Sequence, residues 1–318
     1  MLLKIYRIIR IKITKADSRG LIKVFRKTLS KIVIPAYYLD HLLSSKKSAF
    51  KLSFSQEQAL SIFCLVHHSV DGILDDYDKS TLSKMKSLGF ITILITNSLQ
   101  VDSYCADKIV PKGNFGRDMS SLRDLARSFS GSNCEKFELF FMNNSIVWDL
   151  QRLETEITRL RHLPTGRLVF PTSSKYPYIH VQPYFIYLGL EGTAISRFAD
   201  SFDWIRNWHL KRSIIYFGEY RMLKMLTEKG WPSTIMAPYD DVVQSENIFR
   251  LSKGEPLLKS NSIFYNPTQH MWRALPSFGI WAVKKSLVAS NPAGVENQPE
   301  SIGVALETLN RIHTRSQK

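Results

Sequence analysis

The sequence predicts an α/β protein: a mostly parallel sheet flanked by helices, preceded by a basic amphipathic helical segment. Three observations carry this expectation. Short apolar runs alternate with stretches of helical period along the first two thirds of the chain. Each apolar run stops at small polar residues. The charge is gathered at one end, because residues 1–51 hold +11 of the formal +15. Of the 318 residues, 44% are hydrophobic and 22% charged, which excludes a largely disordered chain.

The basic segment spans 1–55. At 100° per residue, Leu2, Ile5, Tyr6, Ile9 and Ile13 share one helical face, opposite Lys4, Arg7, Arg10 and Lys15. From Leu21 to Ile34 the pattern repeats, with Leu21, Phe25, Leu29 and Ile32 opposed to Lys23, Arg26, Lys27 and Lys31. Such helices suit an anionic membrane surface through residues 1–51. Plain packing on the main domain is the competing expectation. No apolar run reaches the roughly 18 residues of a membrane span, and no secretory signal is legible. The aromatics do not interleave with the cations as a nucleic-acid stacking platform requires, so no nucleic acid is expected. Three cysteines (Cys64, Cys105, Cys134) without metal or redox spacing suit a reducing compartment.

The main domain is expected over 56–290. IFCLVH (62–67) reads as a buried strand, followed by a polar loop and a helix from Tyr77 to Leu88 closed by Gly89. FITILIT (90–96) is the next strand, and a short one near Asp107–Val110 leads into PKGNFGRD. A helix over Met119–Phe129 precedes the strand FELFFM (137–142), which stops at Asn143-Asn144-Ser145. Leu150–Leu163 reads as a helix ended by Pro164 and Gly166. PYIHVQPYFIYL (177–188) reads as a strand, and FGEYRMLKMLTEKGW (217–231) as a helix closed by Gly230. A polar tail, 291–318, carries one expected helix at 301–312.

In a parallel α/β sheet, ligands meet the loops beyond the strand carboxyl ends. Here those loops are His67-His68, Thr96-Asn97-Ser98, Asn114–Asp118 and Asn143-Asn144-Ser145. Four polar loops converging on one crevice say more than any one of them, since Asn and Ser are also ordinary turn residues. Within GNFGRDMSSLRD (113–124), Gly113 and Gly116 permit close backbone approach and Asp118 can cap the following helix. Arg117 offers a planar fork for phosphate or carboxylate. Taken alone, the stretch reads equally as a tight turn with a surface Arg. His180 and Gln182 alternate along one strand and so share a face. Trp148, Trp204 and Trp208 suit core packing better than sugar stacking.

NFGRD (114–118), NNS (143–145), HVQPYF (180–185) and GEYRMLKMLTEKG (218–230) occur in the order seen in rhamnan-synthesis F-type glycosyltransferases, and the chain resembles that family over roughly residues 60–245. YNPTQHMWRALPSFGIWAVKKSLVASNP (265–292) resembles the tail of some capsule and lipopolysaccharide glycosyltransferases. The resemblance implies a GT-A-like fold and transfer of a sugar, rhamnose being one candidate, from a nucleotide-sugar donor. It implies a growing cell-surface polysaccharide or lipid-linked glycan as acceptor, and a peripheral, cytoplasmic place at the inner face of a bacterial cell membrane. The strand-end loops and the resemblance together give an expected donor set of His67, Thr96, Asn97, Ser98, Asn114, Gly116, Arg117, Asp118, Asn143, Asn144, Ser145, His180 and Gln182. It implies Mg2+ or Mn2+ at the NNS corner, yet Asn144 stands where the family carries Asp, and hard divalent ions prefer charged oxygens. The base motif reads GEY rather than GED, which makes Glu219 the candidate base. Asp240 and Asp241 are the alternatives. Pro183 also departs from the family's Ser. A non-catalytic glycan- or nucleotide-sugar-binding protein of the same fold is the alternative function.

Overall fold

The computed structural model describes residues 36–54, 59–69, 73–98, 101–102, 104–113, 116–130, 134–175, 178–258 and 265–289. The two basic helical repeats before residue 35, the C-terminal helix and Asn114 lie outside these residues.

Strands β1 (Ala59–His67), β2 (Ile91–Thr96), β3 (Lys108–Pro111) and β4 (Lys136–Asn143) form a parallel block in the order β3-β2-β1-β4. Helices α2 (Asp76–Ser87) and α3 (Arg117–Arg127) belong to its crossovers. Beyond β4 the sheet turns mixed. β8 (Phe185–Glu191) pairs antiparallel with β4, and β6 (Arg167–Ser174) pairs antiparallel with β8. β9 (Ser233–Ala237) runs parallel along β6. The protein is thus α/β with a mixed central sheet whose first four strands are parallel.

The run expected as one strand over 177–188 is two, β7 (His180–Gln182) and β8. Thr172 pairs with Gln182, whereas Val169 pairs with Tyr187. An unbroken antiparallel ladder would pair Val169 with residue 185. Two extra residues, Pro183 and Tyr184, therefore form a bulge. Proline cannot donate to a ladder, which accounts for the interruption.

Alternation along the strands sorts side chains onto two faces. Ile62, Cys64, Val66, Leu139 and Phe141 face α3, α5 (Ala194–Ala199) and α6 (Lys211–Glu228). Phe63, Leu65, Phe140 and Met142 face α2, α4 (Leu150–Arg161) and α7 (Tyr239–Ser252). Near-complete burial of such side chains stabilises by about 1.5–3 kcal/mol each, so the sheet is held from both sides. α6 starts at Lys211–Ser213, passes through a π-helical turn at Ile214–Glu219 and continues as Tyr220–Glu228. A small second sheet pairs β5 (Ile146–Trp148) antiparallel with β10 (Ala282–Lys284). That pairing brings the distal part of the chain back beside the end of β4.

Candidate functional site

The carboxyl ends of the parallel strands lie together, as the alternation predicts. His67 pairs with Thr96, Val66 with Asn143, and Thr96 with Pro111. What the loops do there depends on which face each residue takes.

On the α3 face, the chain enters the helix through two successive left-handed residues, Gly116 (φ 65) and Arg117 (φ 46). A Cβ at 116 would stand 2.2 Å from Ser120 Oγ, so only glycine fits. Arg117 pays about 1–2 kcal/mol for its conformation. Its carbonyl compensates by accepting from Lys112 Nζ at 3.0 Å and Ser121 Oγ at 2.9 Å. Helix α3 is itself fixed by a buried ion pair. Arg123 Nη2 meets Asp124 Oδ1 at 2.6 Å, Arg123 also reaches the Ile205 carbonyl and Asn207 Oδ1, and Asp124 Oδ2 accepts from Ala49 N–H.

Asp118, in the first turn of α3, accepts from Asn143 Nδ2 at 2.8 Å through Oδ2. Asn143 Oδ1 accepts from Ser145 N–H at 3.1 Å and from the Ser145 hydroxyl. Asn144 donates its N–H to the Val66 carbonyl at 3.0 Å, and its Oδ1 accepts from His68 N–H at 3.3 Å. The NNS stretch is therefore a turn, and it is also the place where β4, α3 and the loop after β1 are tied together.

Glu219 closes this corner. It ends the π-helical turn, a feature often found at functional sites. The turn is pressed onto α3: a Cβ on Gly218 would meet Met119 Cε at 3.1 Å and Trp208 Cζ3 at 3.3 Å. Glu219 is half-buried, and its carboxyl makes no hydrogen bond or ion pair with a described residue. Burial pushes its carboxyl up to about 7; Asp118 acts in the same direction, and Lys284, Lys211 and Arg117 oppose it. The carboxyl is closely surrounded by protein yet keeps some accessible surface. Such a carboxyl can exchange protons near neutrality.

The opposite face holds a different network. His67 is buried, with Nδ1 3.0 Å from Thr96 Oγ1 and Nε2 3.9 Å from Asp78 Oδ2. Lys285 Nζ lies 2.8 Å from Asp75 and 3.1 Å from Asp78. Burial pushes Asp78 up to about 7 with Lys285 opposing. Asp75 is lowered, since Lys285 outweighs its burial. Lys285 is raised, because Asp78 and Asp75 outweigh its own burial. Tyr77 hydroxyl, donating to the Trp148 carbonyl at 3.1 Å, ties α2 to β5.

The predicted residues divide accordingly. Gly116, Arg117, Asp118, Asn143, Asn144, Ser145 and Glu219 gather at one corner. His67 and Thr96 belong to the buried network on the other face. Asn97 clasps the next loop, bonding Ser69 N–H (3.1 Å) and the Ser69 carbonyl (2.8 Å), and Ser98 N–H donates to Thr96 Oγ1. Gln182 accepts from Thr172, and His180 lies 4.5 Å, ring to ring, from Tyr220, the neighbour of Glu219. Asp240 and Asp241 begin α7 after β9. That is three strand spacings from β4, roughly 14 Å, and Asp240 pairs with Lys175. Both aspartates are exposed. Trp148 and Trp208 are core residues, as expected.

Lys284 and Lys211, which no motif singled out, join the corner, and of the two histidines expected in the loop after β1 it is His68 that lies there. His68, next along from His67, points to the α3 face. Its ring nitrogens are buried without a hydrogen-bond partner, and burial, then Lys112, His67 and Arg117, hold its pKa down at about 4. It is therefore a neutral imidazole. Lys284 lies opposite Ile146 in the β10–β5 pair. Lys211 opens α6. No family model matches the chain, and no curated protein matches it in sequence.

Proposed function

We propose that the chain is a glycosyltransferase of GT-A-like arrangement, moving a sugar from a nucleotide-sugar donor to a growing cell-surface polysaccharide or lipid-linked glycan. The carrying observation is Glu219, an unpaired carboxyl on the turn pressed against α3, raised to about 7 by burial and within electrostatic reach of Asp118, which Asn143 binds. In the proposed step, Glu219 accepts the proton of an acceptor hydroxyl while that oxygen attacks the anomeric carbon. The bond from this carbon to the diphosphate oxygen breaks, and the diphosphate departs with the electron pair. Asp118 and Asn143 hold the corner's shape, and Arg117 meets the leaving group.

A peripheral place at the inner face of a cell membrane goes with this reading. The helix α1 (residues 36–43) presents Tyr38, Leu39, Leu42 and Leu43 on one side, with Leu42 70% and Leu43 76% exposed. Exposed Lys46, Lys47 and Lys51 flank it. Exposed leucines rimmed by cations suit an anionic bilayer surface. Among the described residues no helix is long and apolar enough to cross a membrane.

The test is transfer from a panel of nucleotide sugars by the parental chain and by Glu219→Gln. Loss of transfer with retained donor binding supports the reading. Transfer by the variant at the parental rate overturns Glu219 as the base. Donor binding without transfer by the parental chain would favour a non-catalytic binder, the reading that Asn144 at the corner favours.

A further inference from the structure

We propose that Lys284, Lys211 and Arg117 form a diphosphate seat that works without a divalent metal ion, a claim that rests on the glycosyltransferase reading for its ligand. The first argument is the donor set at the corner. The amide oxygens of Asn143 and Asn144 accept from Ser145 and His68, and Asp118 Oδ2 accepts from Asn143. Among the described residues no three His, Cys, Asp or Glu side chains group so as to hold a metal. A hard divalent ion wants several anionic oxygens in a regular shell, and these residues do not fit one.

The second argument is the cations themselves. Lys284 pairs opposite Ile146, and the next residue, Lys285, donates its N–H to the Ser145 carbonyl at 2.9 Å. This fixes Lys284 beside the NNS turn. The two adjacent lysines take opposite faces. Lys285 is spent on Asp75 and Asp78, whereas the Lys284 ammonium makes no hydrogen bond or ion pair with a described residue. The same holds for the side chains of Arg117 and Lys211. All three act electrostatically on Glu219. Burial, with Lys211 adding to it, holds Lys284 below the ordinary lysine range against the pull of Glu219 and Asp118.

A largely desolvated ammonium without a partner is costly. That cost falls on Lys284; with half-buried Arg117 at the start of α3 and exposed Lys211 at the start of α6 it makes a cationic corner that a doubly negative diphosphate neutralises. His68, a neutral imidazole with both ring nitrogens unpartnered, supplies an additional N–H donor beside Arg117. Guanidinium and ammonium groups here do the charge stabilisation that a bound ion does in other transferases.

The experiment is calorimetric titration of the full chain with inorganic pyrophosphate and with a nucleoside diphosphate, in EDTA and again with Mg2+ or Mn2+. The expected Kd in EDTA lies within about threefold of that with metal. Lys284→Met weakens both ligands about tenfold or more, the loss of one charge-assisted contact, and Lys284→Arg restores most of it. Binding that appears only with metal overturns the proposal, as does unchanged affinity in a folded Lys284→Met. If that variant fails to fold, Lys211→Met at the exposed end of the seat carries the same test. Metal-free diphosphate binding in a chain that transfers no sugar would leave the seat standing and remove the transferase reading.

Discussion

Asn143 Nδ2 donates to Asp118 Oδ2 across 2.8 Å, joining the end of β4 to the first turn of α3. This bond turns a strand end and a helix start into one unit. Asn143→Leu keeps the volume and removes the donor. We expect a loss of about 1–2 kcal/mol of stability, the range for a hydrogen bond to a charged group at a partly open site, measured by urea denaturation. An unchanged midpoint would show that the bond contributes nothing.

Glu219 predicts a pH dependence. As a base it must be ionised, so transfer should rise with pH and level off above about 7. Glu219→Gln should lose roughly 10²–10⁴-fold in rate. The stability effect has the opposite sense. The folded-state value lies above the ordinary 4.5, so the folded state binds more protons between 4.5 and about 7, and stability falls as pH rises through that window. Glu219→Gln removes this loss. Its melting temperature should exceed the parental one at pH 8 and match it at pH 4; the reverse order would show that Glu219 is not desolvated.

Lys284 and Lys285 should behave as opposites. Lys285→Met strands Asp75 and Asp78 in the interior and should cost roughly 3–5 kcal/mol, as breaking a buried ion pair does. Lys284→Met should leave the unfolding midpoint at or above the parental value, because it removes a desolvated charge. Guanidinium denaturation of the two variants side by side checks this, and equal losses would contradict the assignment of the two faces.

Gly116→Ala tests the backbone at the corner without changing charge. The new Cβ must meet Ser120 Oγ at a φ of 65. A destabilisation of at least about 1–3 kcal/mol is expected, together with weakened nucleotide-sugar binding. A variant as stable as the parent would mean that the left-handed entry to α3 is dispensable.

The exposed side of α1 gives a fifth expectation. Sedimentation of the full chain with anionic vesicles should fall at least tenfold for a Leu42→Ser, Leu43→Ser double variant, because each buried leucine contributes about 1.5–3 kcal/mol. Raised salt should weaken binding independently through the basic residues. Undiminished sedimentation of the double variant would show that these leucines do not enter the bilayer.

Much of this was legible in the sequence. The apolar runs of β1, β2 and β4 declare buried strands, and GNFGRD declares a special turn, because two-sided burial and left-handed backbone leave strong local marks. Pro183 was the available sign of the bulge that splits β7 from β8, which the expectation of a single strand over 177–188 missed. The division between His67 and His68 was also available: β1 alternates, so residue 68 shares the face of Val66, which packs against α3. Lys284 followed from no local pattern. Two consecutive lysines read as surface charge, and only the antiparallel pairing of β10 with β5, some 136 residues away in register, gives them separate destinations. The π-helical turn that delivers Glu219 likewise depends on how Met119 and Trp208 press against Gly218.

The return of β10 to β5 has a consequence for how the protein is made. Glu219, Arg117 and Asn143 emerge from the ribosome well before Lys284 and Lys285. Until those two lysines arrive, Asp75 and Asp78 lack their counter-ion and the corner lacks Lys284. A nascent or prematurely terminated chain should therefore form the parallel strands and yet be inert, so that competence is conferred by one of the last strands to be synthesised.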